Sequence, residues 1–173
     1  MTVNFDEAVK ILLVDEGGFT DDSRDRGGIT NYGITKATLL EAIEADIVPR
    51  ETTIRTLTKS NAIDIYSEFY WKRLNLDKID AQSIANKILN VSVNVGLHWG
   101  VILLQRAVHA ATGDVLEEDG ILGPKTLEAV NSAPAASLLA AYRSEQAGYY
   151  RSIVTKDDSQ SCFLNGWISR AYR

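Results

Sequence analysis

The chain has 173 residues, 45% apolar and 24% charged, so it can bury enough surface to offset its ordering entropy and is not a disordered segment. With 18 basic and 23 acidic side chains its net charge is −5, the wrong sign for a protein that grips nucleic-acid phosphates. Cys162 is the single cysteine, which excludes an internal disulfide and fits synthesis in a reducing cytosol.

The stretch Met1 to Glu7 has no positive region, and the apolar run Ile11 to Val14 is flanked by Lys10 and Asp15, so no signal peptide is expected. The uncharged stretch Ala133 to Tyr142 is half of the roughly 20 residues that a membrane span needs. A first helix is expected from about Phe5 to Asp15, with Asn4 as N-cap, Asp6 and Glu7 in the first turn, and Gly17-Gly18 as the stop. Residues 18–35 change character. Glycines and aspartates with a Thr30-Tyr32-Ile34 alternation predict a small hairpin or three-stranded ribbon. Thr35 can cap a second helix through about Glu44, and a loop with Pro49 leads to an extended, Thr-rich stretch from Thr52 to Leu57.

Thr58 can cap a third helix carrying Ile63, Tyr66, Phe69 and Tyr70 at helical spacing. A helix from about Ala81 to Val95 should stop at Gly96. The next, from Trp99 to Ala111 with Val101, Leu104 and Val108 on one stripe, should stop at Gly113. Gly123-Pro124 opens a short helix, Pro134 a longer one through about Val154, and the last holds Phe163 to Ala171. The expected fold class is therefore α+β, mainly helical, with one small sheet near the N-terminus.

Phe5, Val9, Leu12 and Glu16 lie on one face of the first helix, and the first three are core-type residues. A carboxylate continuing an apolar stripe loses hydration, and at a helix C-terminus the dipole disfavours its charge, so both effects raise its pKa. A carboxyl protonated near neutral pH is what general-acid cleavage of a glycosidic bond needs. The alternative is a helix-terminal Glu that points to water.

The run Glu16-Gly17-Gly18-Phe19, then Asp22, Asp25, Gly27-Gly28-Ile29-Thr30 and Gly33-Ile34-Thr35 resembles the opening signature of glycoside hydrolase family 108. These are N-acetylmuramidases found as phage endolysins and secretion-associated muramidases. The likeness continues at Tyr66, Phe69-Tyr70-Trp71, at Val93-Asn94 with Gly96, and at Gly166-Trp167, nearly the whole chain.

The resemblance implies a lysozyme-like fold in which the small hairpin lies beside the catalytic helix. It implies Glu16 as catalytic acid, with Asp25 and Thr30 managing a water. The broader phage-lysozyme pattern has one more residue before its Thr, so Asp25 is read either as that second carboxylate or as a turn residue bonding its own backbone. A water between the two carboxyls would set them about 6.5–9.5 Å apart and give inversion. Tyr32, Tyr70, Trp71 and Asn94 are the candidate substrate-binding residues, with Tyr70 and Trp71 read either as sugar-stacking platforms or as plain core. Where the family has an Asp four residues before Asn94, this chain has Asn90.

Leu104-Gln105, Asp119-Gly120, Gly123-Pro124, Thr126 and Ala129-Val130 look like a peptidoglycan-binding helical module, which either binds wall or completes the core. The expected organisation is a muramidase lobe over residues 1–96 and a helical lobe over 97–173, packed as one body. The expected partner is peptidoglycan glycan strands, acted on by a monomer without nucleic acid or membrane insertion. A cytoplasmic product would then reach the periplasm through a holin-like pore.

No cofactor is implied. Asp21, Ser23 and Asp25 do not make an EF-hand loop, because Arg26 and Tyr32 stand where it needs Gly and Glu. His98 and His109 lack zinc-site spacing. The competing readings are a lytic transglycosylase acting on the same bond and a wall-binding protein without catalysis.

Overall fold

The computed structural model describes residues 3–16, 18–20 and 28–173, apart from the side chains of Asp15 and Glu16. Its contacts divide the chain into two compact units, one over Asn4–Asn75 and the other over Leu76–Arg173. Most of the described residues are helical, and their sheet has two antiparallel strands, so the expected mainly helical α+β class is what forms.

In the first unit α1 spans Phe5–Glu16. Asn4 caps it, its Oδ1 accepting the Asp6 N–H at 2.8 Å and the Glu7 N–H at 3.4 Å. Ala8, Val9 and Leu12 are buried on its inner face, and the Phe5 ring lies 5.4 Å from that of Trp71. Strands β1 (Thr30–Asn31) and β2 (Ile34–Thr35) pair Thr30 with Thr35 and Asn31 with Ile34. The two-residue loop between them, Tyr32-Gly33, has φ of 51° and 74°, so both residues are left-handed as a type I′ hairpin requires. Thr35 then caps α2 (Lys36–Glu44), accepting the Thr38 N–H at 3.2 Å.

The Thr-rich stretch differs from expectation. Residues 52–57 form a turn rather than an extended strand, because Thr53 and Thr56 satisfy each other's backbone. The Thr53 N–H donates to Thr56 Oγ1 at 2.9 Å, and the Thr56 N–H to Thr53 Oγ1 at 3.3 Å. Thr58 and Asn61 form a capping box at the start of α3 (Lys59–Tyr66). After Tyr66 the helix widens to a π-helical turn over Ser67–Trp71, where the Lys72 N–H reaches back five residues to the Ser67 carbonyl at 2.9 Å.

In the second unit α4 (Gln82–Val95) and α5 (Leu97–Thr112) are joined through Gly96 alone, at φ 88°. α5 is the core helix: Val101, Leu104, Ala107 and Val108 are fully buried, and it packs against α4 and α7 (Ala135–Lys156). A Cβ on Gly100 would stand 2.5 Å from Ser92 Oγ and 3.0 Å from the Ser92 Cα, so α4 and α5 approach through a position that only glycine fits. The buried Tyr142 hydroxyl donates to the Gly100 carbonyl at 2.8 Å, fixing α7 to the same point.

Gly113 stops α5, and an irregular connection leads to α6 (Pro124–Ser132). The chain finishes with a 3-10 turn over Asp158–Phe163 and α8 (Leu164–Ala171), shorter than the expected last helix because Phe163 belongs to the 3-10 turn. Among the described residues no helix is long and apolar enough to cross a membrane.

Candidate active site

α1 ends at Glu16, four residues after the buried Leu12. The Glu16 side chain and the whole of Asp25 lie outside the described residues. What the structure does describe is the frame around them. Four residues beyond Glu16, Thr20 pairs with Thr30: each N–H donates to the other's carbonyl, at 2.8 and 2.9 Å. This bridge adds a third edge to the β1–β2 hairpin, the ribbon expected from the glycine-rich segment. Four residues of extended chain span at most about 14 Å, so the end of α1 is tethered close to the strand that carries Thr30. Asp25 lies between Thr20 and Thr30 in the sequence.

The hairpin is held from behind by two polar side chains. Asn31, only 6% exposed, donates its amide to the Ile54 carbonyl at 2.8 Å and to the Leu57 carbonyl at 3.3 Å. The Tyr66 hydroxyl donates to the Tyr32 carbonyl at 2.6 Å. Tyr66 is fully buried, and its ring stands 5.8 Å from that of half-buried Tyr70. Thr30, Tyr32 and Tyr70 thus belong to one framework of hairpin, α3 and π-helical turn. Trp71 is 6% exposed and turns to Phe5 of α1. Phe19 is 41% exposed, and the Arg55 guanidinium lies 4.7 Å above its ring.

Asn94 belongs to the other unit. Its Nδ2 donates to the Asn90 carbonyl at 2.7 Å, and its Oδ1 accepts from the Arg170 guanidinium, so it ties the last turn of α4 to α8. Asn90 Oδ1 is buried without a hydrogen-bond partner among the described residues.

Two residues of the frame carry no local functional signal in sequence. Tyr66 reads as core from its spacing, and Asn31 stands beside a turn. What each does depends on partners 23 to 34 residues away. Among the described residues no group of three or more His, Cys, Asp and Glu side chains is placed to hold a metal ion.

The fold is similar to the solved structure of Brucella abortus SagA, with a TM-score of 0.78 and 31% identity over 96% of this chain and 88% of that one. The protein is a glycoside hydrolase of lysozyme-like, mainly helical fold. It belongs to the glycosyl hydrolase 108 family, whose model matches residues 9–96, as the Glu16-to-Thr35 motif leads one to expect. Residues 99–172 match a second family, described as "Predicted Peptidoglycan domain". Together the two matches support peptidoglycan as the substrate. None of the curated proteins compared with the chain matches it. The two family matches meet between α4 and α5, whereas packing groups both helices in the second unit.

Proposed function

We propose that the protein is an N-acetylmuramidase that hydrolyses the β-1,4 bond between N-acetylmuramic acid and N-acetylglucosamine. The observation that carries this reading is the family match across residues 9–96, which contains Glu16, Asp25 and Thr30 in one signature. The Thr20–Thr30 bridge supports it, because it ties Thr30 to a residue four positions beyond the helix end at Glu16.

The Glu16 carboxyl gives its proton to the glycosidic oxygen as the C1–O bond breaks. The Asp25 carboxylate takes a proton from a water that Thr30 holds, and the water oxygen bonds to C1 from the opposite face. One water is consumed and the anomer is inverted. Solvent then returns a proton to Glu16 and removes one from Asp25.

Tyr32 and Tyr70, both half-buried, offer ring faces to the sugars. Trp71, buried with its ring 5.4 Å from that of Phe5, takes the core reading rather than the stacking one. Asn94 is a further residue that hydrogen-bonds the glycan. The residue 97–173 lobe holds the wall while residues 1–96 cut it. The enzyme works as a monomer, in phage lysis or protein release, after delivery to the periplasm through a holin-like pore.

The test is clearing of permeabilised Gram-negative cells by wild type and by Glu16→Gln. Mass spectrometry of the released fragments and NMR of the new anomeric centre complete it. Loss of clearing by at least about a hundredfold in the variant, with reducing ends of inverted configuration, is the expected result. Anhydro ends would make it a transglycosylase, and an unchanged variant would remove Glu16 from catalysis.

A further inference from the structure

A hollow of about 380 Å³ opens on the unit Leu76–Arg173, between α5, the connection 113–123 and α7. Arg106 and His109 line it from α5, Val115, Leu116 and Glu118 from the connection, and Glu145 from α7. The connection has no regular structure, yet side chains of α5 pin it. Buried Gln105 donates its amide to Asp119 Oδ1 at 2.8 Å and accepts the Gly120 N–H at 3.2 Å. Arg106 Nε donates to Glu118 Oε2 at 2.7 Å, and His109 Nδ1 lies 3.3 Å from the Asp114 carbonyl oxygen. Gly120 has φ 70°, and a Cβ there would meet the His98 ring at 2.1 Å, so the connection also rests on His98. The walls are in place before any ligand arrives, which lowers the ordering cost of binding.

The charges of the lining are unequal. Arg106 is hydrogen-bonded to Glu118 and also feels the charge of half-buried Glu145, which makes no hydrogen bond among the described residues. Two carboxylates, Glu118 and Glu145, stand against one guanidinium. Val115 is 84% exposed, and Leu116 beside it gives the rim a second apolar side chain. An apolar edge, a carboxylate with no hydrogen bond of its own and a guanidinium with N–H groups to spare complement an alkyl chain that ends in an ammonium and carries a carboxylate.

We propose that this hollow seats the diamino-acid residue of a peptidoglycan stem peptide. Its side-chain ammonium meets Glu145, its methylenes lie along Val115 and Leu116, and its carboxylate meets the outer edge of Arg106. The proposal rests on peptidoglycan being the target, and it gives residues 99–172 a peptide-reading role distinct from cleavage of the glycan.

The test titrates the full chain with the tripeptide L-alanyl-γ-D-glutamyl-meso-diaminopimelate, followed by calorimetry and amide NMR. The same peptide with its side-chain amine acetylated is the comparison, and wall hydrolysis by the same preparation is assayed in parallel. Binding of the free-amine peptide with shifts at Arg106, His109 and Glu145 is expected. Acetylation should weaken it about tenfold, and Glu145→Gln by a similar factor. Equal binding of both peptides, or none while the wall is still hydrolysed, overturns the proposal and leaves the muramidase reading standing. An inert wild type that neither binds nor cuts wall overturns both. The acetylated peptide asks the question of the wild-type protein, so the answer does not depend on the variant folding.

Discussion

The hydroxyl of Tyr66 donates a 2.6 Å hydrogen bond to the carbonyl of Tyr32, joining α3 to the hairpin turn across 34 residues of sequence. Tyr32 is not a glycine, yet its φ is 51°, a conformation that costs an L residue about 1–2 kcal/mol. The hydroxyl therefore helps to hold a strained turn next to the strand that carries Thr30. Tyr66→Phe should cost about 0.5–1.5 kcal/mol. Hydrogen exchange at the Thr20 and Thr30 amides should speed up while that of α5 stays as it is. Unchanged protection at those two amides would show that the hairpin stands without the tyrosine.

Asn31 makes a sharper test because its amide serves two carbonyls at once. Asn31→Asp replaces both N–H donors with a carboxylate that faces the Ile54 and Leu57 oxygens. The expected loss at pH 7 is roughly 2–3 kcal/mol, with part recovered on acidification, since a protonated carboxyl can donate one bond. Melting curves at pH 7 and pH 4 check it. A variant as stable as wild type at pH 7 would mean that solvent satisfies these carbonyls.

The helices were legible because their ends are written locally. Asn4, Thr35 and Thr58 accept the N–H groups that helices leave open, and Gly96 and Gly113 stop two of them. The alternation of Thr30, Tyr32 and Ile34 reads as one strand, whereas the chain turns at Tyr32-Gly33 and pairs Thr30 with Thr35, so the sheet was legible in this segment and its turn was not. Where local signals compete, the reading failed. Thr52 to Leu57 has strand-like composition, but Thr53 and Thr56 each carry a hydroxyl at the spacing that closes a turn.

The π-helical turn was illegible for a different reason. The spacing of Tyr66, Phe69 and Tyr70 fits a helix of either width, and what separates the two is backbone bonding such as that of Lys72 to Ser67. In the candidate site the family motif supplies Glu16, Asp25 and Thr30. The bonds that hold the frame together, from Asn31 and Tyr66, are long-range and leave no periodic trace.

The connection 113–123 carries a pH dependence of known sign. The Gln105 amide and then the Ile121 N–H hold the Asp119 carboxylate below the ordinary aspartate value, with His98 adding a smaller favourable charge. A group whose folded value is lowered contributes stability that is complete above about pH 4 and is lost as pH falls through the folded value. Carboxyl-carbon NMR of Gln105→Leu should show the Asp119 titration moving back up toward the ordinary range. An unmoved titration would assign the effect to the backbone N–H alone.

In the second unit, α4 and α5 meet closely at the contact of Gly100 with Ser92. In Gly100→Ala the new Cβ meets Ser92 Oγ at 2.5 Å, and behind it the Ser92 Cα at 3.0 Å, so rotating the serine side chain removes only half of the clash. The expected cost is about 1–3 kcal/mol by urea unfolding, with the slope unchanged. Ser92 Oγ is buried without a hydrogen-bond partner among the described residues, so Ser92→Ala should be neutral or mildly stabilising by itself. In Ser92→Gly the Cβ and Oγ are gone, and Gly100→Ala made in that background should cost about 1 kcal/mol less than in wild type. Equal costs in the two backgrounds would mean that the helices part readily, and that the Tyr142 bond to the Gly100 carbonyl, rather than close approach, sets the α4–α5 geometry.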